Sequence, residues 1–376
     1  MFSIWEQQSF LRTDIIIVGG GILGLSTACS VKEQHPDRQV MVLERGIFPS
    51  GASTRNAGFA CFGSLTELVA DAATLGESLM LQLVDRRWRG LALLDQRLGE
   101  EAMDYQHYGG FELLTEQQLG VLKYIDGINQ QLFPLFQMEV FYSAPSKITE
   151  FGFNKEIVKD IIFNPFEGQV DMGRLMKGLI ARAHALGVEM LTGANVTAVH
   201  STGTASEVEV CHGKETYRFS ANKTAVCTNA FLPTLFPEML VRPGRGQMLI
   251  TKPIPNLRFK GTFHFNEGFY YFRNYHNRVL FGGGRNLDLE TETTTALEPN
   301  EKILSDLREK LATVILPGIP HEIDYTWQGV MGFGPSKFPF IENPSPNVYA
   351  ALGCNGMGVA LSSLLGEELA ETLSQS

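Results

Sequence analysis

A glycine-rich segment near the start of the chain constrains the fold more than any other feature. The stretch DIIIVGGGILGLSTA runs from Asp14 to Ala28 and spaces Gly19, Gly21 and Gly24 as G-x-G-x-x-G. The β-branched run before the glycines does not alternate apolar with polar residues, which is typical of a buried parallel strand. Because an apolar helical stretch follows the glycines, the segment predicts a strand, a tight turn and a helix.

The next strand completes a unit that is suited to a dinucleotide. QVMVLER ends at Glu44, about 20 residues past the glycines, where a carboxylate can accept hydrogen bonds from ribose hydroxyls. The glycines permit the turn, a close approach of the backbone to a pyrophosphate, and packing of the helix on the strand. The free N–H groups and the dipole at the start of the helix favour the phosphates. The alternative is a glycine-rich turn that binds nothing.

Two further segments favour FAD over NAD. GASTRNAG follows the acid and sets Arg55 and Asn56, two hydrogen-bond donors, among small residues. Near the other end of the chain, NVYAALGCNGMGVALSSLLGEELAETL predicts a strand, a second glycine turn and a helix. The start of that helix would favour the negative charge that a flavin carries near N1 when it is reduced, and NAD has no matching need.

Composition excludes several classes of protein. The 376 residues suffice for about two domains, and the net charge of −10 argues against nucleic acid or an anionic membrane as the partner. Five cysteines without a C-x-x-C pair indicate neither a disulfide framework nor a zinc site. The apolar run 15–31 is short and broken by glycines, so we expect no integral membrane segment. MFSIWEQQSFLRTD has no basic segment followed by an apolar run and a cleavage site, so we expect no secretion signal, and the cysteines fit a reducing, cytoplasmic compartment.

Eight segments, in order along most of the chain, carry a resemblance to a known family. They are DIIIVGGGILGLSTA, VLERG, GASTRNAG, AVCTNAFLP, RPGRGQ, YYFRNYHNRVLFGGG, WQGVMG and ALGCNGMGVALSSLLGEELA. The chain resembles the glycine oxidase and D-amino-acid oxidase superfamily of FAD-dependent amine oxidoreductases. Within it, the chain looks most like gamma-glutamylputrescine oxidase-like proteins. The resemblance implies FAD contacts at Gly19, Gly20, Gly21, Ile22, Leu23, Gly24, Glu44, Arg45, Ser53, Thr54, Arg55, Asn56, Ala57, Gly58, Val196, Asn229, Gly353, Asn355, Gly356, Met357, Gly358 and Val359.

The order of elements predicts an α/β fold with an α+β insertion. A Rossmann-like FAD-binding domain with a parallel sheet is expected from 1–98, 152–235 and 323–376, and a second domain on an antiparallel sheet from 99–151 and 236–322. SLTE at Ser64 to Glu67 predicts a capping box, and Asp171 predicts the cap of another helix. A further helix is predicted at 301–314.

The substrate pocket is expected on the antiparallel sheet. Tyr271 and Arg273 are two residues apart, so they share one face of a strand, as a pocket wall and an anion anchor. An ordinary amphipathic strand explains the same pattern. Glycine oxidase and D-amino-acid oxidase carry a carboxylate-binding arginine shortly after the tryptophan of WQGVMG, but here that position is Met331. Simple amino acids are therefore disfavoured unless another arginine takes over, and Lys337 is the nearest cation.

The expected chemistry is oxidation of a C–N bond in a small amine or amino-acid derivative by hydride transfer to flavin N5, with oxygen as acceptor. WQGVMGFGPSKFPF contains no cysteine, which favours FAD that is not covalently bound. No histidine is singled out as a base. The alternatives are a dehydrogenase of the same fold that reduces a quinone or carrier, and a non-catalytic flavin sensor or assembly subunit. A flavin monooxygenase is disfavoured because no second dinucleotide fingerprint is present.

Overall fold

Two sheets of eight strands each organise the molecule. A computed structural model describes residues 2–352 and 354–375. The ribbon of Phe59–Ala60 and Gly168–Gln169 lies outside both sheets. Each sheet has its own hydrophobic cluster, which accounts for a fold of two parts.

The first sheet is mainly parallel and grows around the first strand of the dinucleotide unit. Arg12–Val18 pairs in parallel with Val40–Glu44 on one side and with Glu215–Val226 on the other. Ile15, Ile16 and Ile17 are at most 1% exposed, because helices and sheet neighbours cover both faces of this strand. The remaining strands are Glu189–Thr192, Asn195–Ser201, Ser206–His212, Phe340–Ser345 and Val348–Leu352.

Helices from opposite ends of the chain pack against each other on this sheet. Ile22–Gln34 lies beside Gly358–Ser374, where a Cβ on Gly366 would come within 2.9 Å of Ser26. Glu77–Leu98 also contacts the C-terminal helix, and a Cβ on Gly90 would lie 1.9 Å from the Ala360 carbonyl oxygen. The remaining α-helices are Ile4–Ser9, Ala52–Arg55, Leu65–Leu75, Glu100–Met103, Ile125–Phe136, Ser146–Phe151, Met172–Ala185 and Glu301–Lys310.

The second sheet is antiparallel except at one pair of strands. In spatial order its strands are Ile323–Phe333, Arg242–Thr251, Arg278–Gly283, Tyr270–Tyr275, Thr262–Phe265, Gly110–Leu114, Asp160–Asn164 and Tyr142–Ser143. Phe263 and Phe272 stack on one face with ring centroids 4.6 Å apart, at the centre of a cluster of buried phenylalanines. This packing fixes the opposite face of the same strands toward the first sheet, where the cavity described below lies.

Short helical turns complete the connections. The 3-10 segments are Glu116–Tyr124, Asn229–Thr234 and Arg285–Leu287. Glu301–Lys310 ends earlier than the predicted helix over 301–314, because the chain continues as a π turn at Leu311–Ile315. The segment RNYHNR forms a hairpin, with Tyr275 opposite Arg278.

The predicted fold class is confirmed, since a parallel sheet is joined to an antiparallel one. The strands Asp160–Asn164 and Ile323–Phe333 belong to the antiparallel sheet, although the sequence boundaries assign both to the FAD-binding domain. We propose that both strands be counted with the second domain, which moves its last boundary to the residues after Phe333.

Candidate cofactor and substrate cavity

A cavity of about 620 Å³ lies between the two sheets. Residues of the first glycine turn, the C-terminal turn and the antiparallel sheet all line it. The predicted site residues on its wall are Gly19, Gly21, Ile22, Leu23, Glu44, Arg45, Ser53, Arg55, Asn56, Ala57, Gly58, Val196, Asn229, Asn355, Gly356, Met357, Gly358, Val359, Tyr271 and Lys337. Gly20, Gly24, Thr54 and Arg273 do not line it, and Gly353 falls outside the described residues.

The first glycine turn combines close packing with an open face. Gly19 has φ +107°, and a Cβ there would lie 2.7 Å from the Cys227 carbonyl oxygen. A Cβ on Gly24 would lie 1.9 Å from the Gly19 carbonyl oxygen, so Gly24 lets the helix approach the strand. The helix Ile22–Gln34 begins at the cavity, and its Ile22 N–H donates to Ser53 Oγ at 3.0 Å. Ser53 thus satisfies the first N–H group of this helix, and the positive end of the helix dipole remains directed at the cavity.

Glu44 ties two loops together at the end of its strand. Its carboxylate accepts hydrogen bonds from the Gly20 and Gly46 N–H groups, both at 2.9 Å, and it is 9% exposed. Each carboxylate oxygen has a second acceptor position, so the group can still accept from a ligand hydroxyl. Nearby, the Arg45 guanidinium lies 3.9 Å from the centroid of the Phe231 ring, and Val196 lines the same end of the cavity.

The segment GASTRNAG folds through its own side chains. Arg55 donates to the carbonyl oxygens of Ser50 at 2.8 Å and Gln328 at 2.9 Å. Asn56 donates to the Ala52 carbonyl oxygen at 2.9 Å and accepts from the Gly58 N–H at 2.8 Å. These hydrogen bonds shape the backbone of the cavity wall, which both side chains line. The FAD contacts that the resemblance implies for Arg55 and Asn56 stay a prediction.

The C-terminal turn lines the same cavity as the first turn. Asn355 and Gly356 have φ of +46° and +89°, and the helix Gly358–Ser374 begins directly after them. Met331 lies beneath this turn, since its sulfur is 3.8 Å from the point where a Cβ on Gly356 would be. Asn229 fixes the neighbouring strand by accepting from the Gly332 N–H at 3.0 Å.

The two residues predicted to share a face of their strand have different environments. Tyr271 lines the cavity, and burial raises the pKa of its hydroxyl to about 12, so the hydroxyl keeps its proton at neutral pH. Arg273 is 5% exposed and donates to the carbonyl oxygens of Ala57, Gly58 and Val170 at 3.2, 2.8 and 2.8 Å. Burial lowers the pKa of Arg273 to about 10. The expectation that Arg273 anchors a substrate anion is corrected. Its hydrogen bonds join the second sheet to the backbone at Ala57 and Gly58 and at Val170.

Lys337 lies on the cavity wall as one member of a charged cluster. Its ammonium forms an ion pair with Asp71 and is 3.9 Å from Glu67 Oε1. Glu67 also accepts from Arg87 Nη2 at 3.0 Å. Because buried Asp71 already neutralises Lys337, this lysine is a poor anchor for a second anion.

Sequence reasoning missed His264 and Arg285, which also line the cavity. His264 Nε2 is 3.8 Å from Glu167 Oε2 and has no hydrogen-bond partner among the described residues. Burial lowers the pKa of His264, but Glu167, Glu112 and Glu67 more than offset this, so the net shift is upward. The only available signal for His264 was its position in the alternating strand GTFHF, because Glu167 comes from a distant segment.

One buried polar atom supports the presence of a bound ligand. Thr228 Oγ1 is buried on the cavity wall and has no hydrogen-bond partner among residues 2–352 and 354–375. Buried hydroxyls normally find a partner, so this atom is suited to a polar group of a ligand. Together with the helix start at Ile22 and the acid at Glu44, it makes the cavity fit a flavin dinucleotide.

The chain combines a glycine turn, a buried acid at Glu44, and a parallel sheet joined to an antiparallel one. This combination is typical of two-domain proteins that bind a dinucleotide. Residues 14–372 match the family described as FAD dependent oxidoreductase, so the chain belongs to this family and is an FAD-dependent oxidoreductase. None of the helices in residues 2–352 and 354–375 combines the length and the apolar character that a membrane span requires.

Individual relatives are similar over nearly the whole chain. The chain is 24% identical to gamma-glutamylputrescine oxidoreductase from Escherichia coli, over 96% of this chain and 84% of that protein. The solved L-proline dehydrogenase from P. horikoshii superposes with a TM-score of 0.76 at 19% identity, covering 96% and 93% of the two chains. Glycine oxidase from Geobacillus kaustophilus gives a TM-score of 0.72 at 20% identity, covering 96% and 94%. The two structures establish the shared fold.

Proposed function

We propose that this protein oxidises a C–N bond of a small amine or amino-acid derivative. The observation that carries the proposal is one cavity with a dinucleotide turn at one end and Tyr271 and His264, from the antiparallel sheet, on its wall. The similarity to gamma-glutamylputrescine oxidoreductase supports an amine as the substrate. The absence of a second dinucleotide fingerprint in the sequence agrees with a single bound cofactor.

In this proposal the two glycine turns and the loop between Ser53 and Gly58 hold FAD. The first helix start takes the pyrophosphate, Glu44 accepts from the ribose, and the strand at Val196 supports the adenine. The C-terminal turn and the start of helix Gly358–Ser374 support the flavin ring. FAD supplies the hydride acceptor for the reaction.

The wall residues bind and orient the substrate. Tyr271 keeps its hydroxyl proton and packs beside Phe59, with ring centroids 6.1 Å apart, so it can donate one hydrogen bond from an apolar surface. Phe59 also contacts His264 edge to face at 5.1 Å. These rings exclude water from the place where the amine would lie, and the amine must be neutral to give up a hydride.

The cysteines of the cavity favour FAD that is not covalently bound. Cys61, Cys227 and Cys354 line the wall, and burial raises the pKa of all three thiols, that of Cys227 to about 12. A protonated thiol is a poor nucleophile. We expect denatured protein to release all its FAD, and yellow colour retained by the precipitate would contradict this.

Oxygen is the acceptor in the proposed reaction. The guanidinium of Arg285, a cation on the cavity wall, would stabilise the negative charge that develops as electrons pass to oxygen. Peroxide formed in air tests this step. Reduction of a quinone analogue without any peroxide would assign the protein to the dehydrogenases.

The test of the proposed function is anaerobic addition of a panel of amines and amino-acid derivatives to the FAD-loaded protein. At least one member is expected to bleach the visible flavin absorbance. Dithionite serves as the control for a reducible flavin. If dithionite bleaches the flavin but no amine does, the proposal fails and a non-catalytic flavin protein is the better description.

A further inference from the structure

Arg285 is a half-buried cation on the cavity wall that lacks an acidic partner. It begins the 3-10 turn Arg285–Leu287, directly after the strand Arg278–Gly283. Its guanidinium lies 4.4 Å from the centroid of the Phe333 ring. With the residues that the structure describes, its side chain forms neither a hydrogen bond nor an ion pair. Of the other cations on the cavity wall, Arg55, Arg87 and Lys337 are committed to carbonyl oxygens or carboxylates. Arg45 also stacks on an aromatic ring, but it directly follows Glu44, at the part of the cavity that we assign to the adenosine of FAD.

The acid whose charge acts on Arg285, Glu292, already has its own hydrogen-bond partners. Glu292 is fully buried and accepts from Arg245 through both oxygens, at 2.7 and 3.0 Å. Asn300 and Gln247 donate to the same carboxylate at 2.8 and 3.0 Å. Arg245 is therefore the ion-pair partner of Glu292, which acts on Arg285 only from a distance and leaves its N–H groups without an acceptor.

The guanidinium lies over the strand pair that contains Met331. Gly244 is the register partner of Met331, and a Cβ on Gly244 would lie 3.3 Å from Arg285 Nη1. The same Cβ would overlap the Phe333 ring at 2.4 Å. The missing side chain at Gly244 thus leaves the space in which Arg285 and Phe333 stack. A positive charge is present beside the position where Met331 itself offers only a thioether.

A half-buried guanidinium such as that of Arg285 costs free energy when no anion is paired with it. Burial lowers the pKa of Arg285, although a guanidinium stays protonated at neutral pH. A planar cation stacked on an aromatic ring keeps its N–H edge available for two parallel hydrogen bonds to a carboxylate. An entering carboxylate would both satisfy those donors and neutralise the charge.

We propose that Arg285 binds the carboxylate of the substrate, so that the substrate is an amine that carries a carboxylate group. This inference rests on the proposed function. A single guanidinium without an ion-pair partner matches a monoanion better than a dianion, which favours a carboxylate over a phosphate. Met331 then does not exclude amino acids, since the anchor comes from the neighbouring strand end.

The experiment measures binding of benzoate to the FAD-loaded protein, by calorimetry and by the change in the flavin absorption spectrum. Benzamide is the uncharged analogue, and phenylphosphonate is the dianion. Wild-type protein is expected to bind benzoate more tightly than either. Arg285→Met should weaken benzoate about tenfold or more, since a charge-assisted pair is lost, and should leave benzamide unchanged. Arg285→Lys should be intermediate, because an ammonium lacks the bidentate edge.

The matched control is Arg308→Met, the same replacement on the exposed face of the helix Glu301–Lys310, where Arg308 pairs with Glu301 at 3.0 Å. It should bind benzoate as the wild type does. FAD content and the thermal unfolding midpoint of each variant show that it is folded. Wild-type affinity of benzoate for folded Arg285→Met would overturn the inference, as would tighter binding of phenylphosphonate by the wild type.

This titration measures binding and needs no turnover. A failure of the carboxylate site can therefore be distinguished from a failure of the proposed function, which the amine panel tests. Benzoate binding that depends on Arg285, in a protein whose flavin no amine reduces, would support the carboxylate site and reject the proposed function. An amine that bleaches the flavin equally well in wild type and Arg285→Met, whether or not it carries a carboxylate, would support the function and overturn the inference.

Discussion

At the scale of single residues, two glycines in equivalent helix positions have opposite environments. Gly24 and Gly127 are each the third residue of a helix, Ile22–Gln34 and Ile125–Phe136. A Cβ on Gly24 would lie 1.9 Å from a carbonyl oxygen, whereas a Cβ on Gly127 would meet nothing within 4 Å. The spacing of glycines in the sequence identified the first as necessary for packing, and the structure supplies the atom that it would strike.

We expect Gly24→Ala to lower the free energy of unfolding by about 2–3 kcal/mol, because backbone must shift to admit the methyl group. Gly127→Ala should raise it by up to about 1 kcal/mol, since alanine favours a helix and the site is open. Urea denaturation of both variants beside the wild type gives the two values. Equal effects of the two replacements would show that helix propensity, and not the contact with Gly19, decides the result.

The pKa of His264 leads to a pH dependence of stability. Three glutamates raise this pKa above its ordinary value of 6.5 despite burial. The folded state then binds a proton more tightly than the unfolded state, so the gain is complete below about pH 6.5 and is lost as the pH rises through the folded pKa. The difference in unfolding free energy between wild type and His264→Gln should therefore shrink between mildly acidic and alkaline pH.

Thermal unfolding at several pH values across this range tests that expectation. Glu167→Gln should remove much of the pH dependence, since Glu167 is the largest of the favourable partners. His200→Gln, on an exposed surface of the first sheet, serves as the matched control and should leave the pH profile unchanged. A pH-independent difference for His264→Gln would mean that the imidazole is neutral in the folded protein.

At residue scale, local patterns identified the polar groups that act within their own segment, such as Glu44 beside its glycine turn. They did not identify groups whose partners come from elsewhere. Arg273 was expected to face the cavity from its spacing, but three carbonyl oxygens from two other segments bind it. A buried arginine goes where its donors are satisfied, and periodicity in a strand carries no information about those acceptors.

At the scale of elements, helix caps connect sequence to structure most directly. Asp171 caps Met172–Ala185 by accepting from the Arg174 N–H at 2.9 Å, as the sequence predicted. Its second oxygen accepts from the Tyr275 hydroxyl at 3.3 Å, which joins this helix to the antiparallel sheet. The cap therefore also fixes the position of the strand that bears Tyr271.

We expect Asp171→Ala to cost about 1 kcal/mol of unfolding free energy through loss of the cap. Asp171→Asn should cost much less, because asparagine caps helices as well as aspartate does. Urea denaturation measures both. A loss in Asp171→Asn as large as that in Asp171→Ala would assign the effect to the charge and not to the cap.

The other predicted cap forms only in part. Ser64 accepts from the Glu67 N–H, but Glu67 does not return the bond, because its carboxylate pairs with Arg87 and approaches Lys337. The helix predicted over 301–314 likewise changes to a π turn after Lys310, where Leu311, Val314 and Ile315 are buried against the second sheet. In both cases a contact with a distant part of the chain outweighs the preference of the local sequence for a capping bond or a longer helix. The residues that make this contact are far away in the sequence, so a local pattern does not reveal them.

At the scale of the whole molecule, segments from both ends of the chain build one cavity. A ligand held between them should stabilise all of them together. We expect removal of FAD to lower the thermal unfolding midpoint and added FAD to raise it progressively. At a free FAD concentration of 100 times Kd, the free energy of unfolding should be about 2.7 kcal/mol higher than without FAD.

FMN is the matched control for this stabilisation, because it lacks the adenosine that we assign to Glu44 and Val196. It should raise the midpoint much less than FAD does. Differential scanning calorimetry of protein freed of flavin, with each compound added in turn, gives the comparison. Equal stabilisation by FMN would contradict the assignment of the first glycine turn to the dinucleotide.

Most of the architecture was predictable because its pieces carry strong local patterns: glycine turns, a buried β-branched strand and alternating strands. Resemblance to a family then supplied their order. The domain boundaries were less predictable, since Asp160–Asn164 and Ile323–Phe333 follow the expected pattern of a strand but pair with the antiparallel sheet. Which sheet a strand joins depends on partners far along the chain, and so does the free charge of Arg285.

The close packing of Ile22–Gln34 on Gly358–Ser374 has a consequence for biosynthesis. When the first helix leaves the ribosome, more than 300 residues of the nascent chain remain to be translated before its neighbour exists. During that interval the apolar surface of the first helix lacks its final partner, and only transient contacts or a chaperone can cover it. Loss of residues 358–374 would therefore remove one of the two helix starts that we assign to FAD, and such a protein should not retain flavin.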